Sequence, residues 1–251
     1  MNKRAAENLR TLAIDVGGSG LKAAILDGRG TMCGERVRVP TPRPATPEAV
    51  IGAILALVAP LRPFDRVSVG FPGVVVEDVV RTAPNLDGDW AGVALAAELG
   101  RALGVPVHAA NDADVQGYGA IKGRGVELVL TLGTGLGASL FMDGRLVPNL
   151  ELGHHRFRKG ETYEEQLGKA ARKDIGDPKW NKRLAKAIRR LRKLFNFRRL
   201  YIGGGNVKHV TIQIDDDVRL VRNTLGITGG IALWEPRRRP PRLASVTVGD
   251  P

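Results

Sequence analysis

Three glycine-rich segments at widely separated positions have the composition of turns that bind phosphate. They read DVGGSGLK at 15–22, LGTGLG at 132–137 and GGGN at 203–206. Glycine permits backbone conformations in which successive N–H groups converge on an anion. Asp15, at the end of the first predicted strand, is suited to holding Mg²⁺ through water. The alternative for each segment is an ordinary tight turn that binds nothing.

The elements predicted around these turns restrict which phosphate-binding motif each turn can form. A strand is predicted after the second turn, which excludes the dinucleotide-binding fingerprint because that motif needs a helix there. A second phosphate turn fits better, with a hydroxyl contact from Thr134. The third turn is predicted between a strand and a helix, which suits the edge of a nucleotide or phosphate-chain site.

Two further segments carry groups for an alcohol substrate. Phosphoryl transfer to a hydroxyl needs a carboxylate that accepts its proton, and Asp112 in NDAD at 111–114 is the candidate base. Its alternative role is the N-cap of the helix that follows. Glu151 and His154 can hold neighbouring sugar hydroxyls with directed hydrogen bonds. A zinc role for His154 lacks partners at suitable spacing.

The order strand, glycine turn, strand, Asp-Gly occurs twice, about 115 residues apart. Such a repeat predicts two lobes of related topology that face one cleft. We predict an N-terminal lobe at 1–112 and a C-terminal lobe at 113–235, whose last segment packs back on the first lobe. A disordered tail rich in Arg and Pro is predicted at 236–251.

Sequence pattern also predicts the main helices. One is expected over 47–58, with Thr46 as its cap and Pro47 at its first position. Others are expected over 90–103, over 179–195, and from Asp217 to about Leu225.

Composition restricts the classes of partner. The net charge of +12 and a pI near 10.3 favour a polyanion, without choosing among nucleic acid, anionic membrane, nucleotide and polyphosphate. Lys and Arg crowd 169–199, which predicts either a track for a phosphate chain or a solvated helix face. The lone Cys33 excludes an internal disulfide. A polar N-terminus and no apolar run of about 18 residues indicate a cytoplasmic protein.

Six motifs, taken in order, resemble the ROK family of sugar kinases. They are DxGGS, GxPG, NDAD, LGTGxG, ExGH and GGGN, and they fall within roughly 11–235. The run at 151–168 is most similar to the branch whose members phosphorylate glucose from polyphosphate. The resemblance implies an α/β fold with two lobes, actin-like and hexokinase-like (ribonuclease H-like), and a central cleft.

The resemblance also implies roles for individual residues. Asp112 would take the proton of the 6-hydroxyl of glucose. The sugar would be held by Gly73, Asn85, Asn111, Asp112, Glu151, His154 and Glu164. The phosphates of the donor would be bound by Asp15, Gly17, Gly18, Ser19, Gly20, Lys22, Gly133, Thr134, Gly135, Gly204 and Gly205. Mg²⁺ would be held by Asp15 through water.

The implied reaction moves the terminal phosphoryl group of polyphosphate, ATP or both to glucose, and the implied assembly is a homodimer. Many ROK kinases carry a zinc module of one His and three Cys. Here 156–165 contains no Cys, so no zinc is expected. About ten residues precede the first strand, which gives little support to a DNA-reading role.

Two alternatives stay open. One is an ATP-dependent kinase of the same family that acts on another hexose or an N-acetylhexosamine. The other is a polyanion-binding or nucleic-acid-binding protein without enzymatic activity. The chain lacks the repeated aromatic residues of a base-stacking surface, so we expect neither nucleic acid nor membrane as a partner.

Overall fold

The computed structural model describes residues 9–221 and 224–235. In its first half one sheet has the strand order β3-β2-β1-β4-β7. The elements of this half are β1 (Thr11–Gly17), β2 (Gly20–Leu26), β3 (Val37–Val39), α1 (Pro47–Val58), β4 (Arg66–Phe71), β5 (Val75–Val76), β6 (Val79–Val80), α2 (Leu95–Leu103) and β7 (Val107–Asn111). β1, β4 and β7 are parallel, whereas β1, β2 and β3 form an antiparallel meander.

The second half repeats this design in a sheet of order β10-β9-β8-β13-β14. Its elements are α3 (Asp112–Ala120), β8 (Val126–Leu132), β9 (Leu136–Met142), β10 (Arg145–Val147), β11 (Arg156–Arg158), β12 (Glu161–Thr162), α4 (Tyr163–Leu167), α5 (Lys169–Phe195), β13 (Arg199–Gly203), β14 (Val218–Leu220) and α6 (Leu225–Thr228). β8, β9 and β10 are antiparallel, and β8, β13 and β14 are parallel. The internal repeat predicted from the glycine turns is confirmed.

Each sheet has its own apolar core. In the first half, Leu12 and Ile14 of β1 pack with α1 and α2. Both faces of this sheet are buried, which explains why β1 is apolar at successive positions from Leu12 to Ile14. In the second half Trp180, Leu184 and Leu191 lie on one face of α5 and are fully buried. Their helical spacing is the reason that α5 covers the second sheet.

Helix α3 joins the two halves, because it contacts β4 and β7 of the first sheet and β8 and β9 of the second. Gly117 permits this close packing: a Cβ there would collide with Ser139 and Phe141 of β9. Ser139 Oγ also donates to the Ala113 carbonyl at 3.0 Å. The first turn of α3 is therefore held at the boundary between the sheets.

Several predicted boundaries differ from the structure. The cap by Thr46 is confirmed, since its Oγ1 accepts from Ala49 N. The helix predicted over 90–103 begins only at Leu95, because Gly92 has a φ of +83° and Trp90 is buried against Phe71 instead.

The helix predicted over 179–195 is longer than expected. α5 begins at Lys169 and continues across a kink at Gly176, whose φ is +76°. The helix predicted from Asp217 to Leu225 is wrong. Val218–Leu220 instead extends the second sheet as β14, in parallel register with β13.

The segment Gly229–Trp234 forms a 3-10 helix that lies on β4. Ser68 Oγ donates to the Gly230 carbonyl at 2.7 Å and accepts from Trp234 Nε1 at 2.9 Å. The Arg66 guanidinium lies over the Trp234 ring. The tail predicted at 236–251 is outside the described residues. Over the ranges that are described, no helix has both the length and the apolarity to cross a membrane.

Candidate active site

One cavity of about 490 Å³ lies between the two sheets, and every residue predicted to bind sugar or phosphate lines it. The three glycine turns come from the β1–β2 hairpin, the β8–β9 hairpin and the end of β13. Asp112 enters from the start of α3. The cavity therefore combines groups that the chain separates by almost 200 residues.

Asn111, and not Asp112, caps helix α3. Asn111 Oδ1 accepts from the N–H groups of Ala113 at 2.9 Å and Asp114 at 3.3 Å. Its Nδ2 donates to the Gly73 carbonyl at 3.0 Å. The alternative of Asp112 as the cap is wrong, and its carboxylate is left for other work.

The pKa of Asp112 is raised to about 7, by burial first and then by the negative charge of Asp15. A carboxylate with a pKa near neutrality is a stronger base than an ordinary Asp, which suits it to accept a proton from a hydroxyl. Asp114, two residues further along α3, also has its pKa raised to about 7, chiefly by burial. Asp114 lies outside the cavity lining.

The first glycine turn is flanked by a charged pair. Lys22 Nζ lies 2.6 Å from Asp15 Oδ2, across the antiparallel pair of β1 and β2. At the tip of the turn, Ser19 Oγ lies 3.4 Å from Thr134 Oγ1 of the second turn. The two predicted phosphate turns therefore meet across the cleft.

The second turn holds no ion pair but is fixed by a carboxylate from α4. Glu164 Oε2 accepts from Leu136 N at 3.0 Å, and any Cβ on Gly135 would collide with the same carboxylate. Gly135 must therefore lack a side chain for Glu164 to reach the cavity wall.

The third turn is tied to the second. Asn206 Nδ2 donates to the Gly133 carbonyl and Asn206 N to the Leu132 carbonyl, both at 2.8 Å. The helix predicted after this turn is wrong, because only one 3-10 turn, Val207–His209, follows. Backbone geometry and Asn206, rather than a helix N-terminus, define this corner.

The predicted sugar residues lie at the other side of the cavity. His154 Nε2 is 3.5 Å from Glu151 Oε2, and both side chains are partly exposed. Burial raises the pKa of Glu151, the neighbouring His154 opposes that rise and Glu164 adds to it. Gly73 approaches the Thr82 carbonyl so closely that no side chain fits there.

Several cavity residues were not predicted, among them the polar side chains of Arg36, Arg38, Gln116, Lys208 and His209. Arg38 lies on β3 and Arg36 two residues before it, a spacing that puts both side chains on one face of an extended chain, and Gln116 follows Asp112 by one helical turn. Either spacing could have indicated them. From the basic stretch at 169–199, only Lys169 and Arg172 line the cavity.

The residues present fit a divalent cation near the first turn. Asp15 and Asp112 are close enough for the charge of one to raise the pKa of the other. A cation between two carboxylates relieves such repulsion, and oxygen ligands of this kind suit a hard ion.

Comparison with known proteins agrees with this geometry. The model of the ROK family matches residues 11–167. The polyphosphate glucokinase of Mycobacterium tuberculosis is 38% identical over 222 residues, which are 84% of this chain and 81% of that protein. A glucokinase of Streptomyces coelicolor is 34% identical over 146 residues, 54% of this chain and 44% of that protein.

Solved structures give the same result. The inorganic polyphosphate/ATP-glucomannokinase of Arthrobacter sp. strain KM matches with a TM-score of 0.83 at 35% identity, over 91% of this chain and 100% of that one. A ROK family glucokinase of Streptomyces griseus, solved with glucose and AMPPNP, matches with a TM-score of 0.75 at 21% identity, over 89% and 98%.

The fold is therefore the actin-like, hexokinase-like fold of two lobes, as the sequence predicts. Within that class, the chain belongs to the ROK family.

Proposed function

We propose that the chain is a glucokinase that moves the terminal phosphoryl group of polyphosphate or ATP to the 6-hydroxyl of glucose. The observation that carries this proposal is the convergence in one cavity of Asp112, the three glycine turns and the Glu151–His154 pair. Two relatives, aligned over 81% and 100% of their own length, are named as a polyphosphate glucokinase and a polyphosphate/ATP-glucomannokinase.

In the proposed reaction, Glu151 and His154 hold sugar hydroxyls while Asp112 accepts the proton of the 6-hydroxyl. The oxygen then attacks the terminal phosphorus, and the bond to the departing phosphate chain breaks. Positioning and charge neutralisation supply most of the catalysis in such transfers. The backbone N–H groups of the turns and the Lys22 ammonium face the phosphate charge.

Asp15, with Asp112 beside it, would hold Mg²⁺, which neutralises charge on the phosphates of the donor when it is bound. The contact of Lys22 Nζ with Asp15 Oδ2 at 2.6 Å orients this carboxylate within the cavity.

The cavity walls favour a donor with more charge than one phosphoryl group. Arg36 and Arg38 lie on one wall, and Lys169, Arg172 and Lys208 lie on the other. Arg38 reaches over the first turn, where its guanidinium would meet a Cβ on Gly20. In the described part of the chain, Arg36 and Arg38 have no carboxylate within ion-pair distance. A polyphosphate chain supplies the missing negative charges.

Several cations of the basic stretch at 169–199 are engaged elsewhere. Arg192 pairs with Asp215 and Asp217, and Arg190 donates to the Phe157 carbonyl. We therefore place the donor track between the lobes, rather than along the outer face of α5.

The test is formation of glucose 6-phosphate with Mg²⁺, with polyphosphate and ATP compared at equal terminal-phosphate concentration. Asp112→Asn removes the base and should lower kcat by about 10²–10⁴-fold. Asp216→Asn, at an exposed loop position, is the matched control and should retain wild-type turnover. Near-normal turnover of Asp112→Asn would reject Asp112 as the base. A wild type that uses neither donor would reject the glucokinase.

Three further properties stay predictions from the sequence. They are the homodimer, the absence of zinc and the cytoplasmic location. Sedimentation of the purified chain and metal analysis test the first two directly.

A further inference from the structure

Gln116 is a cavity residue whose polar group is left without a partner. It lies on α3 four residues after Asp112, so the two side chains share one face of the helix. Both line the cavity between the lobes. Gln116 is only 6% exposed, which is uncommon for a side chain with two donors and an acceptor.

The Nε2 atom of Gln116 is buried and donates no hydrogen bond to any atom of the described chain. An unpaired buried amide costs about 1–3 kcal/mol, and folded proteins rarely leave one unless another molecule satisfies it. The described residues around Gln116 therefore provide no acceptor for its amide N–H groups.

The surroundings of the amide indicate which acceptor would fit. A Cβ on Gly203 would collide with Gln116 Nε2, so the amide rests directly on the start of the third glycine turn. Gly203 is in register with Thr131, just before the second turn. The amide thus lies between the base and the two turns that face the phosphates.

We propose that Gln116 binds the phosphoryl donor, with its amide N–H groups donating to phosphate oxygens between the second and third turns. This inference rests on the proposed function. Phosphate oxygens carry negative charge, and hydrogen bonds to charged acceptors are the stronger ones. The last torsion of a Gln side chain has a broad energy minimum, so the amide can turn towards the cavity when a donor occupies it.

The main test is Gln116→Leu, which keeps a similar volume and removes both donors. Steady-state kinetics should show the KM for polyphosphate and ATP raised about 10-fold or more, the fold-change expected for a lost hydrogen bond to a charged group. The KM for glucose should stay within about twofold. Thermal unfolding should show Tm equal to or above the wild-type value, because an unpaired amide has been replaced by an apolar group.

Two more variants keep the inference testable if Gln116→Leu folds poorly. Gln116→Glu retains the shape but places a negative charge beside the donor, so it should raise the donor KM more than Gln116→Leu does. Gly203→Ala displaces the amide and should raise the donor KM. Combined with Gln116→Leu, Gly203→Ala should add little, because both changes remove the same contact.

Calorimetric binding of tripolyphosphate separates this inference from the proposed function, since binding needs no turnover. Weaker binding by Gln116→Leu supports a donor contact even if wild type transfers nothing to glucose, which would overturn only the glucokinase. Donor affinity within twofold of wild type, or equal changes in donor and glucose KM, would overturn the role of Gln116. A wild type that binds neither tripolyphosphate nor ATP would overturn both.

Discussion

The β1–β2 and β8–β9 hairpins have the same place in the two sheets, yet they present different chemistry to the cleft. In the first hairpin, the third residue pair from the turn is Asp15 with Lys22, both charged and both in the cavity lining. In the second, the corresponding pair is Leu130 with Ala138, both apolar, and of these Ala138 lines the cavity. The repeat supplies one backbone design, and side chains at matching positions give each copy its own task.

Packing against α3 accounts for part of this difference. A Cβ on Gly137 would collide with Ala113 Cβ and Thr131 Oγ1, so the second hairpin lies directly against the helix that carries Asp112. A charge at this buried contact would cost free energy without a partner. The first hairpin borders the open part of the cavity, where Asp15 and Lys22 remain partly exposed. We infer that the charged side chains of the first turn neutralise charge on the donor and its cation, and that the second turn positions the base, Asp112.

The largest effect should separate the two turns. Asp15→Asn removes the carboxylate that we assign to holding Mg²⁺, and it takes away the ion-pair partner of Lys22. It should lower kcat by about 10²-fold or more, the usual loss when a charge-stabilising group is removed. Thr134→Val, at the tip of the other turn, removes one neutral hydroxyl and should cost about 2–10-fold. Steady-state kinetics with ATP and saturating glucose measures both.

Equal losses in these two variants would contradict the division of labour between the turns. Thr134→Ser is a suitable control, because it retains the hydroxyl near Ser19 and should keep most of the activity.

The pH dependence should come next in size. Transfer needs ionised Asp112, whose pKa is raised to about 7 by burial and by Asp15. Activity should therefore be full above pH 7 and fall as the pH drops below it, by about tenfold per unit. In Asp15→Asn, the acid limb of the pH profile should shift to lower pH, because the charge of Asp15 no longer raises the pKa of Asp112. Thr134→Val should leave the limb in place.

Asp114 provides the control for this assignment, because its pKa is also raised to about 7. Asp114→Asn removes that titration and should retain the acid limb of wild type. An Asp114→Asn enzyme whose activity is flat between pH 5 and 8 would move the assignment from Asp112 to Asp114. The profile is read from kcat/KM for glucose.

The sequence predicted which residues line the cavity better than it predicted the elements around them. Glycine turns are local signals that the sequence displays directly, so all three turns were found. In the structure, close contacts leave no room for a side chain at Gly135 and Gly204. The helix start at Leu95 and the strand β14 depend on tertiary contacts, which propensity does not contain. Gln116 and Arg36 were missed because their spacing from Asp112 and Arg38, the one available signal, does not by itself separate a cavity residue from a buried or a solvated one.

The donor track along 169–199 stays a prediction, although the structure brings only Lys169 and Arg172 of that stretch to the cavity. The stretch at 169–199 is the most basic in the sequence, but the burial of Trp180 and Leu184 turns much of α5 away from the cleft. The segment at 36–39 carries only two arginines, yet the pairing of β3 with β2 brings Arg38 level with Lys22. Register, rather than composition, decides which cations line the cavity.

The smallest expected effect concerns the cavity wall that carries Arg36 and Arg38, and it tests whether these cations bind the donor. Arg36→Ser and Arg38→Ser should each raise the KM for long-chain polyphosphate about fivefold, since an exposed charge pair contributes up to about 1 kcal/mol. The KM for ATP should change less, because its phosphate chain ends sooner. Arg189→Ser, on the exposed face of α5, is the matched control and should leave both values unchanged.

Added salt should weaken polyphosphate use by wild type more than by the Arg36→Ser, Arg38→Ser double variant, since screening acts on charges that the variant has lost. If Arg189→Ser instead raised the polyphosphate KM while the β3 variants did not, the donor track would lie along α5. The two walls of the cleft would then differ in the opposite sense, with the C-terminal half supplying both the base and the cations.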